Sequence, residues 1–358
     1  MSDLVTSYLE DESTDRRQVT PCDGPLFVVG MFRSGTSLLY ALLNQHPQIA
    51  LMYESDLACL GPIFWFGRDT SQWLQRWESW NGAISKHKAD FSKLLGEEFN
   101  FKSATRAVYV EYARQKKGAS VWGCKSPTYC DAITPLSRMF PNARFLIIWR
   151  DLRDICNSLV TAAERSSFFG RRGMVLRVIL GYHEMHIQCE ALAKSGGQIH
   201  QLYYEDLVRD PSSQMKAVCE FLQIPFDPKM TQLKGADRSA IDDLGHHSLV
   251  KGERIVAGEK RSLSLPAALE QKIERYIHLW RQQSKGVWPV YSRSLADEVQ
   301  NPSMWERSRD RVTYVVTRSW RHSAPVVFSM VPTRVWAIYR KFIEARRLAR
   351  LRHRGAIS

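Results

Sequence analysis

The chain of 358 residues contains no uninterrupted apolar run of about eighteen residues, so it offers no membrane-spanning helix. Its first residues, Met1-Ser2-Asp3-Leu4-Val5-Thr6, run into the acidic Glu10-Asp11-Glu12. They lack a basic n-region and an apolar h-region, which argues against a secretory signal. Cysteine is sparse: seven scattered residues, an odd number, with no Cys-x-x-Cys. That pattern fits reduced thiols in a cytoplasmic protein better than a disulfide framework or a zinc site. No internal repeat, low-complexity segment or acidic metal cluster is present. Positive charge is in excess but unevenly placed. Residues 301–358 hold thirteen Lys/Arg and three Asp/Glu, a net +10 of the chain's +13. The body is only mildly basic, so the high isoelectric point belongs to the tail and is not a nucleic-acid signature.

What stands out is the stretch from Leu26 to Leu43. Leu26-Phe27-Val28-Val29 is an apolar run that predicts a buried strand ending at Gly30. Gly30 and Gly35 bracket a turn holding Arg33 and Ser34. Thr36 and Ser37 then open a helix whose Leu38, Leu39, Leu42 and Leu43 recur at helical spacing, until Pro47 stops it. A strand, a glycine turn and a helix start form an anion site, because unpaired N–H groups point out of the helix and glycine lets the backbone approach the ligand. The spacing Gly30-x4-Gly35 is that of a nucleotide P-loop, which would continue Gly-Lys-Ser/Thr. Here the lysine is missing and the charge sits inside the loop as Arg33. This weighs against an ATP- or GTP-dependent kinase, which stays as the alternative enzyme.

Arg33-Ser34-Gly35-Thr36-Ser37-Leu38-Leu39 after a strand resembles the 5′-phosphosulfate loop of the sulfotransferase family. The resemblance implies a P-loop-like α/β fold and 3′-phosphoadenosine 5′-phosphosulfate (PAPS) as sulfo donor, with no metal. A second motif extends it. Phe145-Leu146-Ile147-Ile148-Trp149 predicts a strand, Arg150 ends it, and Ser158 follows in the opening turns of a helix. An arginine fork and a hydroxyl at a helix start suit a phosphate dianion. In the family this strand end holds the 3′-phosphate; taken alone, Arg150 could instead pair with Asp151 or Asp154.

Three weaker matches follow. Lys125, in Gly123-Cys124-Lys125-Ser126-Pro127, is similar to the family lysine that contacts the sulfo group. Tyr204, in Tyr203-Tyr204-Glu205-Asp206, is similar to a segment near the adenine. The stretch with Lys251, Arg254, Lys260 and Arg261 looks like the late basic loop closing over the nucleotide, with Lys260 and Arg261 taken as its contacts. For the base, Arg33 through His46-Pro47 to Glu54 resembles protein-tyrosine sulfotransferases and bacterial relatives, in which a glutamate 21 residues after the loop arginine removes the acceptor proton. Glu54 stands there, and Asp56 is the second candidate. The resemblance covers residues 24–285.

Further strands are predicted at Val121–Cys124 and Ile199–Tyr204, and Gln48–Met52 should lead back to the sheet. Apolar strands alternating with helices imply an α/β fold with a P-loop-like parallel β-sheet flanked by helices on both faces. We expect a mobile arm over 1–22, one sulfotransferase domain over 23–295, and a basic amphipathic C-terminal extension over 296–358. Trp73, Trp77 and Trp80 share a helical face that reads either as core packing or as a substrate wall. Gly181-Tyr182-His183-Glu184-Met185-His186 lacks the His-Glu-x-x-His spacing of a zinc site. The segment around Trp336, Tyr339 and Phe342, followed by Arg346, Arg347, Arg350, Arg352 and Arg354, suggests peripheral contact with an anionic membrane, docking on an acidic partner, or a solvated extension.

The expectation is therefore sulfo transfer from PAPS to a hydroxyl. The catalytic residues are Glu54, Lys125 and Arg33, and the donor is held by Arg33, Ser34, Gly35, Thr36, Ser37, Arg150, Ser158 and Tyr204 with the late loop. A carbohydrate or glycolipid acceptor is placed first, a tyrosine or small metabolite second. A protein that binds adenosine 3′,5′-bisphosphate without catalysis is the non-enzymatic alternative. Oligomeric state is open.

Overall fold

The structure, a computed structural model, describes residues 23–59, 70–81, 87–94, 99–116, 119–164, 168–171, 173–241, 250, 252–255, 265–284 and 299–316. The arm over 1–22, Lys260 and Arg261, and the tail from 317 lie outside the described residues, as do Trp65 and Phe66.

Five parallel strands form the centre: β1 (Leu26–Val29), β2 (Ile49–Tyr53), β3 (Val121–Lys125), β4 (Arg144–Trp149) and β5 (Gln198–Tyr203). Their order is β2-β3-β1-β4-β5. The predicted strands are present with ends moved by one or two residues, and Lys125 is the last residue of β3 rather than the first of a loop. The helices are α1 (Thr36–Leu43), α2 (Thr70–Asn81), α3 (Phe101–Gln115), α4 (Ile133–Met139), α5 (Leu152–Ala163), α6 (Met174–Lys194), α7 (Tyr204–Arg209), α8 (Pro211–Leu222), α9 (Ala267–Gln283) and α10 over 304–316.

Both sheet faces are covered, as continuous apolar strands require. Successive side chains point to opposite faces. Leu26, Val28, Leu146 and Ile148 therefore join the layer of α1, α7 and α8, while Phe27, Val29, Phe145, Ile147 and Trp149 join the layer of α2, α3, α5, α6 and α9. The chain leaves β1 toward the β3 side and later enters β4 on the other side, so the direction of winding reverses at β1. In an open parallel sheet the crevice outside the carboxyl ends at such a reversal is where ligands bind.

Helix α5 begins at Leu152, because Asp151 caps it by accepting from the Arg153 and Asp154 amides at 2.8 and 3.3 Å. Trp73 and Trp77 resolve to the packing reading. Both are fully buried with stacked rings 6.4 Å apart, and the Trp77 indole N–H donates to Ser55 O at 2.9 Å.

Trp77→Ala should therefore act on stability. It removes a buried indole and leaves a carbonyl without its donor, a loss of about 3–5 kcal/mol. Urea unfolding should show this loss while kcat/KM of the folded fraction stays near wild type; a selective rise in acceptor KM would restore the substrate-wall reading.

Candidate active site

Each strand delivers one site residue at its carboxyl end: the Gly30–Gly35 turn after β1, Glu54 after β2, Lys125 closing β3, Arg150 after β4 and Tyr204 after β5. The parallel register places these ends on one edge of the sheet.

The β1 turn is fixed by close packing. A side chain on Gly30 would put its Cβ 2.5 Å from Ser34 Oγ and 2.8 Å from Ile148 O. Gly35 has φ +101°, and a Cβ there would lie 2.4 Å from the Tyr204 ring. Both glycines are thus required by approach, and Gly35 also by its left-handed backbone. Arg33 itself has φ +71°. Helix α1 starts at Gly35 with no side-chain cap and no acid in its first turn, whereas α3, α5 and α8 are capped by Asn100, Asp151 and Asp210. The first amides of α1, including those of Thr36 and Ser37, are the kind of donors that an anion satisfies.

Two guanidinium groups converge on this turn. Arg33 Nε donates to Ser158 Oγ at 3.0 Å, and Arg150 donates to the Arg33 carbonyl at 3.0 Å. Arg150 also lies over the Tyr204 ring, 4.3 Å from its centre. Burial, and after it the neighbouring Arg150, pull the Arg33 guanidinium down to about 10, which leaves it charged at neutral pH. The ion pair between Arg150 and Asp151 or Asp154 that the sequence allowed is not formed: Asp151 caps α5 and pairs with Arg153 at 3.9 Å. Among the described residues, the buried Arg150 Nε and Ser34 Oγ find no hydrogen-bond partner. Buried donors left over beside two cations fit a phosphate or sulfate group.

A second cluster sits at the ends of β2 and β3. Lys125 is fully buried, and its Nζ donates to Glu54 Oε1 at 2.6 Å and to Ser37 Oγ at 3.3 Å. The ammonium also rests 3.9 Å from the centre of the Tyr53 ring, whose hydroxyl bonds Ser37 Oγ at 2.8 Å. Glu54 has φ +49°, a conformation costing a non-glycine residue about 1–3 kcal/mol and typical of functional positions. Its amide bonds Lys125 O at 2.7 Å, so the turn hangs on β3, and its side chain remains about one-third exposed.

Asp56, the second base candidate, is engaged elsewhere. It accepts from Ser126 Oγ at 2.5 Å and Thr128 Oγ1 at 2.7 Å, pinning the turn after β3. His87 Nε2 lies 2.9 Å from the Tyr53 amide and 3.2 Å from its carbonyl, holding the outer edge of β2. His183 stacks on Trp280 with ring centres 4.7 Å apart, and burial lowers it to about 4. His186 Nε2 lies 3.3 Å from Glu190 Oε1, and burial lowers its pKa. Burial pushes the Cys156 thiol up, as suits packing rather than nucleophilic use. Among the described residues no group of three His, Cys, Asp or Glu could hold a metal ion.

Sequence reasoning missed two groups. Tyr53 was overlooked although it directly precedes Glu54. Phe168 and Phe169 pack against Phe32 at 5.7 and 6.4 Å, and Arg33 lies 5.9 Å over Phe169. Only the adjacent aromatic pair in the sequence hinted at that wall.

The sequence profile described as the sulfotransferase family matches residues 25–228. The chain belongs to that family. It is 28% identical over 220 residues to protein-tyrosine sulfotransferase A of Caenorhabditis elegans, covering 60% of this chain and 54% of that protein. It is 26% identical over 206 residues to protein-tyrosine sulfotransferase 2 of Gallus gallus, covering 56% and 51%. The chain thus spans about half the length of these curated relatives. Among solved structures, the sulfotransferase domain from the curacin biosynthetic pathway superposes with a TM-score of 0.53 at 19% identity, covering 75% of this chain and all of that domain. This likeness shows the shared fold.

Gly35→Ala tests the close approach. The methyl group should displace the Tyr204 ring from beneath Arg150, and the left-handed backbone adds about 1–2 kcal/mol of strain. Urea unfolding should report lower stability, and a crystal structure of the variant a shifted Tyr204; an unmoved ring at wild-type stability would refute the packing argument.

Proposed function

We propose that the chain transfers a sulfo group from PAPS to the hydroxyl of a tyrosyl side chain. The observation that carries this reading is the buried Lys125 bonded to Glu54, one strand away from the Arg33–Ser158–Arg150 cradle. It sets a carboxylate, an ammonium and an anion site along one edge of the sheet. Backbone amides of residues 35–37, with the side chains of Ser34, Arg33, Arg150 and Ser158, would hold the donor's anionic groups, with Tyr204 beside them. The donor supplies an activated sulfur whose bond to the bridging oxygen breaks as the acceptor oxygen attacks, releasing adenosine 3′,5′-bisphosphate.

The protein's part is placement and charge. Glu54 is partly exposed at the sheet edge, so its carboxylate can accept the acceptor's hydroxyl proton. Lys125 beside it carries positive charge toward the developing negative charge and keeps the Glu54 side chain in place. The α1 amides and Arg33 are fixed before reaction and need no reorganisation, which is the condition for effective electrostatic stabilisation.

For the acceptor, the relatives named protein-tyrosine sulfotransferases support a tyrosyl hydroxyl. The aromatic argument for a sugar weakens, because Trp73 and Trp77 are inside the core.

Turnover with labelled PAPS and a panel of tyrosine peptides, oligosaccharides and glycolipids tests the assignment. Transfer to glycans alone would overturn the acceptor, and ATP-dependent phosphorylation would overturn the reaction class. Glu54→Gln should lower kcat by about 10²–10⁴-fold, the usual contribution of a general base, with adenosine bisphosphate affinity nearly unchanged; full turnover would move the base elsewhere. Arg150→Ala should weaken adenosine bisphosphate binding by about ten- to a hundredfold in calorimetry, the worth of one charge-assisted bond. Unchanged affinity would remove Arg150 from the donor site.

A further inference from the structure

Helix α10 is amphipathic in the inverse sense. Its inward face is polar and bound. Asp310 is buried, taking an ion pair from Lys272 at 2.5 Å and a hydrogen bond from the Tyr276 hydroxyl at 3.0 Å. Glu306 pairs with Arg275 at 2.8 Å, and the Tyr314 hydroxyl donates to Asp131 at 3.3 Å. These contacts clamp α10 onto α9 and onto the turn after β3, and they fix its rotation.

The outward face is largely apolar, with Ser308 as an exposed polar residue within it. Met304 and Trp305 are 76% and 77% exposed, and Val312, Val315 and Val316 are exposed with them. Trp305, Val312 and Val316 are spaced by seven and four residues, and Val315 lies three after Val312, so these residues form one stripe along the helix. Arg309, which pairs with Asp310 at 3.5 Å while remaining exposed, and Arg311 lie on its two flanks. An apolar stripe ending in a tryptophan and edged by arginines is the arrangement of a helix lying in a lipid interface. The charge of the following chain agrees, since residues 301–358 hold a net +10.

We propose that α10 is a docking surface for an anionic lipid bilayer, with Met304, Trp305, Val312, Val315 and Val316 entering the acyl boundary and Arg309 and Arg311 meeting the headgroups. The inference is independent of the proposed reaction, because α10 contributes no residue to the site.

The full chain should co-sediment with phosphatidylcholine vesicles containing phosphatidylglycerol, but not with phosphatidylcholine alone, and added salt should weaken the binding. The double variant Val312→Asp, Val316→Asp should lower the partition coefficient about tenfold or more. Arg311→Glu should lower it about fivefold or more. Both variants alter exposed positions, and sulfo transfer to a soluble acceptor should be unchanged. Three outcomes would overturn the proposal: equal binding to neutral and anionic vesicles or to neither; binding that the valine variant leaves intact while removal of 317–358 abolishes it; or self-association of the chain, broken by the valine variant, without vesicle binding.

Discussion

A fully buried ammonium at the end of β3 constrains the rest of the site. An unpaired charge at such a place would cost about 3–5 kcal/mol, so Lys125 needs partners. The fold supplies them from two directions. The Ser37 hydroxyl comes from the start of α1, and the Glu54 carboxylate comes from the turn after β2. The Tyr53 ring closes the remaining side, adding the attraction of an aromatic face for a cation. Glu54 meets Lys125 from a left-handed backbone, and its amide is tied to the carbonyl of the same lysine. The acid that we propose as base is thus placed by the cation that it neutralises.

The other half of the site brings two cations together. Arg33 and Arg150 meet through the Arg33 carbonyl, while Asp151 caps α5 and Glu205, near enough to feel the charge of Arg150, accepts the Asp151 amide at 3.0 Å. Two like charges are held together here by a carbonyl, a serine and a tyrosine ring. An uncapped helix start beside them adds further positive potential. The arrangement favours a multiply charged anion with oxygens on both sides of the β1–β4 reversal, which matches a donor carrying a phosphate at one end and a phosphosulfate at the other.

Much of this was legible in order along the chain. The runs 26–29 and 144–149 are continuous and β-rich, and strands buried on both faces have that pattern. The Gly30–Gly35 turn and the Arg150–Ser158 spacing carry their chemistry within a few residues. Their meeting through Arg33 could not be read, because 125 residues separate Arg33 from Ser158. Neighbours in sequence left an alternative open: Asp151 stands next to Arg150, yet its carboxylate turns to cap α5. Trp73 and Trp77 at helical spacing were open to two readings, because period alone does not say what a face meets. The engagement of Asp56 depended on Ser126 and Thr128, which arrive from another strand. Helix α10 escaped because its inner face is polar, and a search for apolar periodicity assigns such a helix the wrong side.

The missing P-loop lysine can now be placed physically. A nucleotide loop puts its cation on the helix start, directly after the last glycine. Here that position is Thr36, and Ser37 follows with its hydroxyl 3.3 Å from a lysine that arrives on β3. The positive charge has moved from the loop to the neighbouring strand, and a second charge, Arg33, has entered the loop itself. A lysine on the helix would face only the anion. A lysine rising from β3 faces the helix start and the turn after β2 together, and so it can couple an anion site to a carboxylate. Phosphoryl transfer from a nucleotide relies on a metal to bridge its phosphates. In the reaction we propose, one sulfo group moves to a hydroxyl, and the parallel pairing of β2 with β3 sets the Lys125 ammonium and the Glu54 carboxylate side by side.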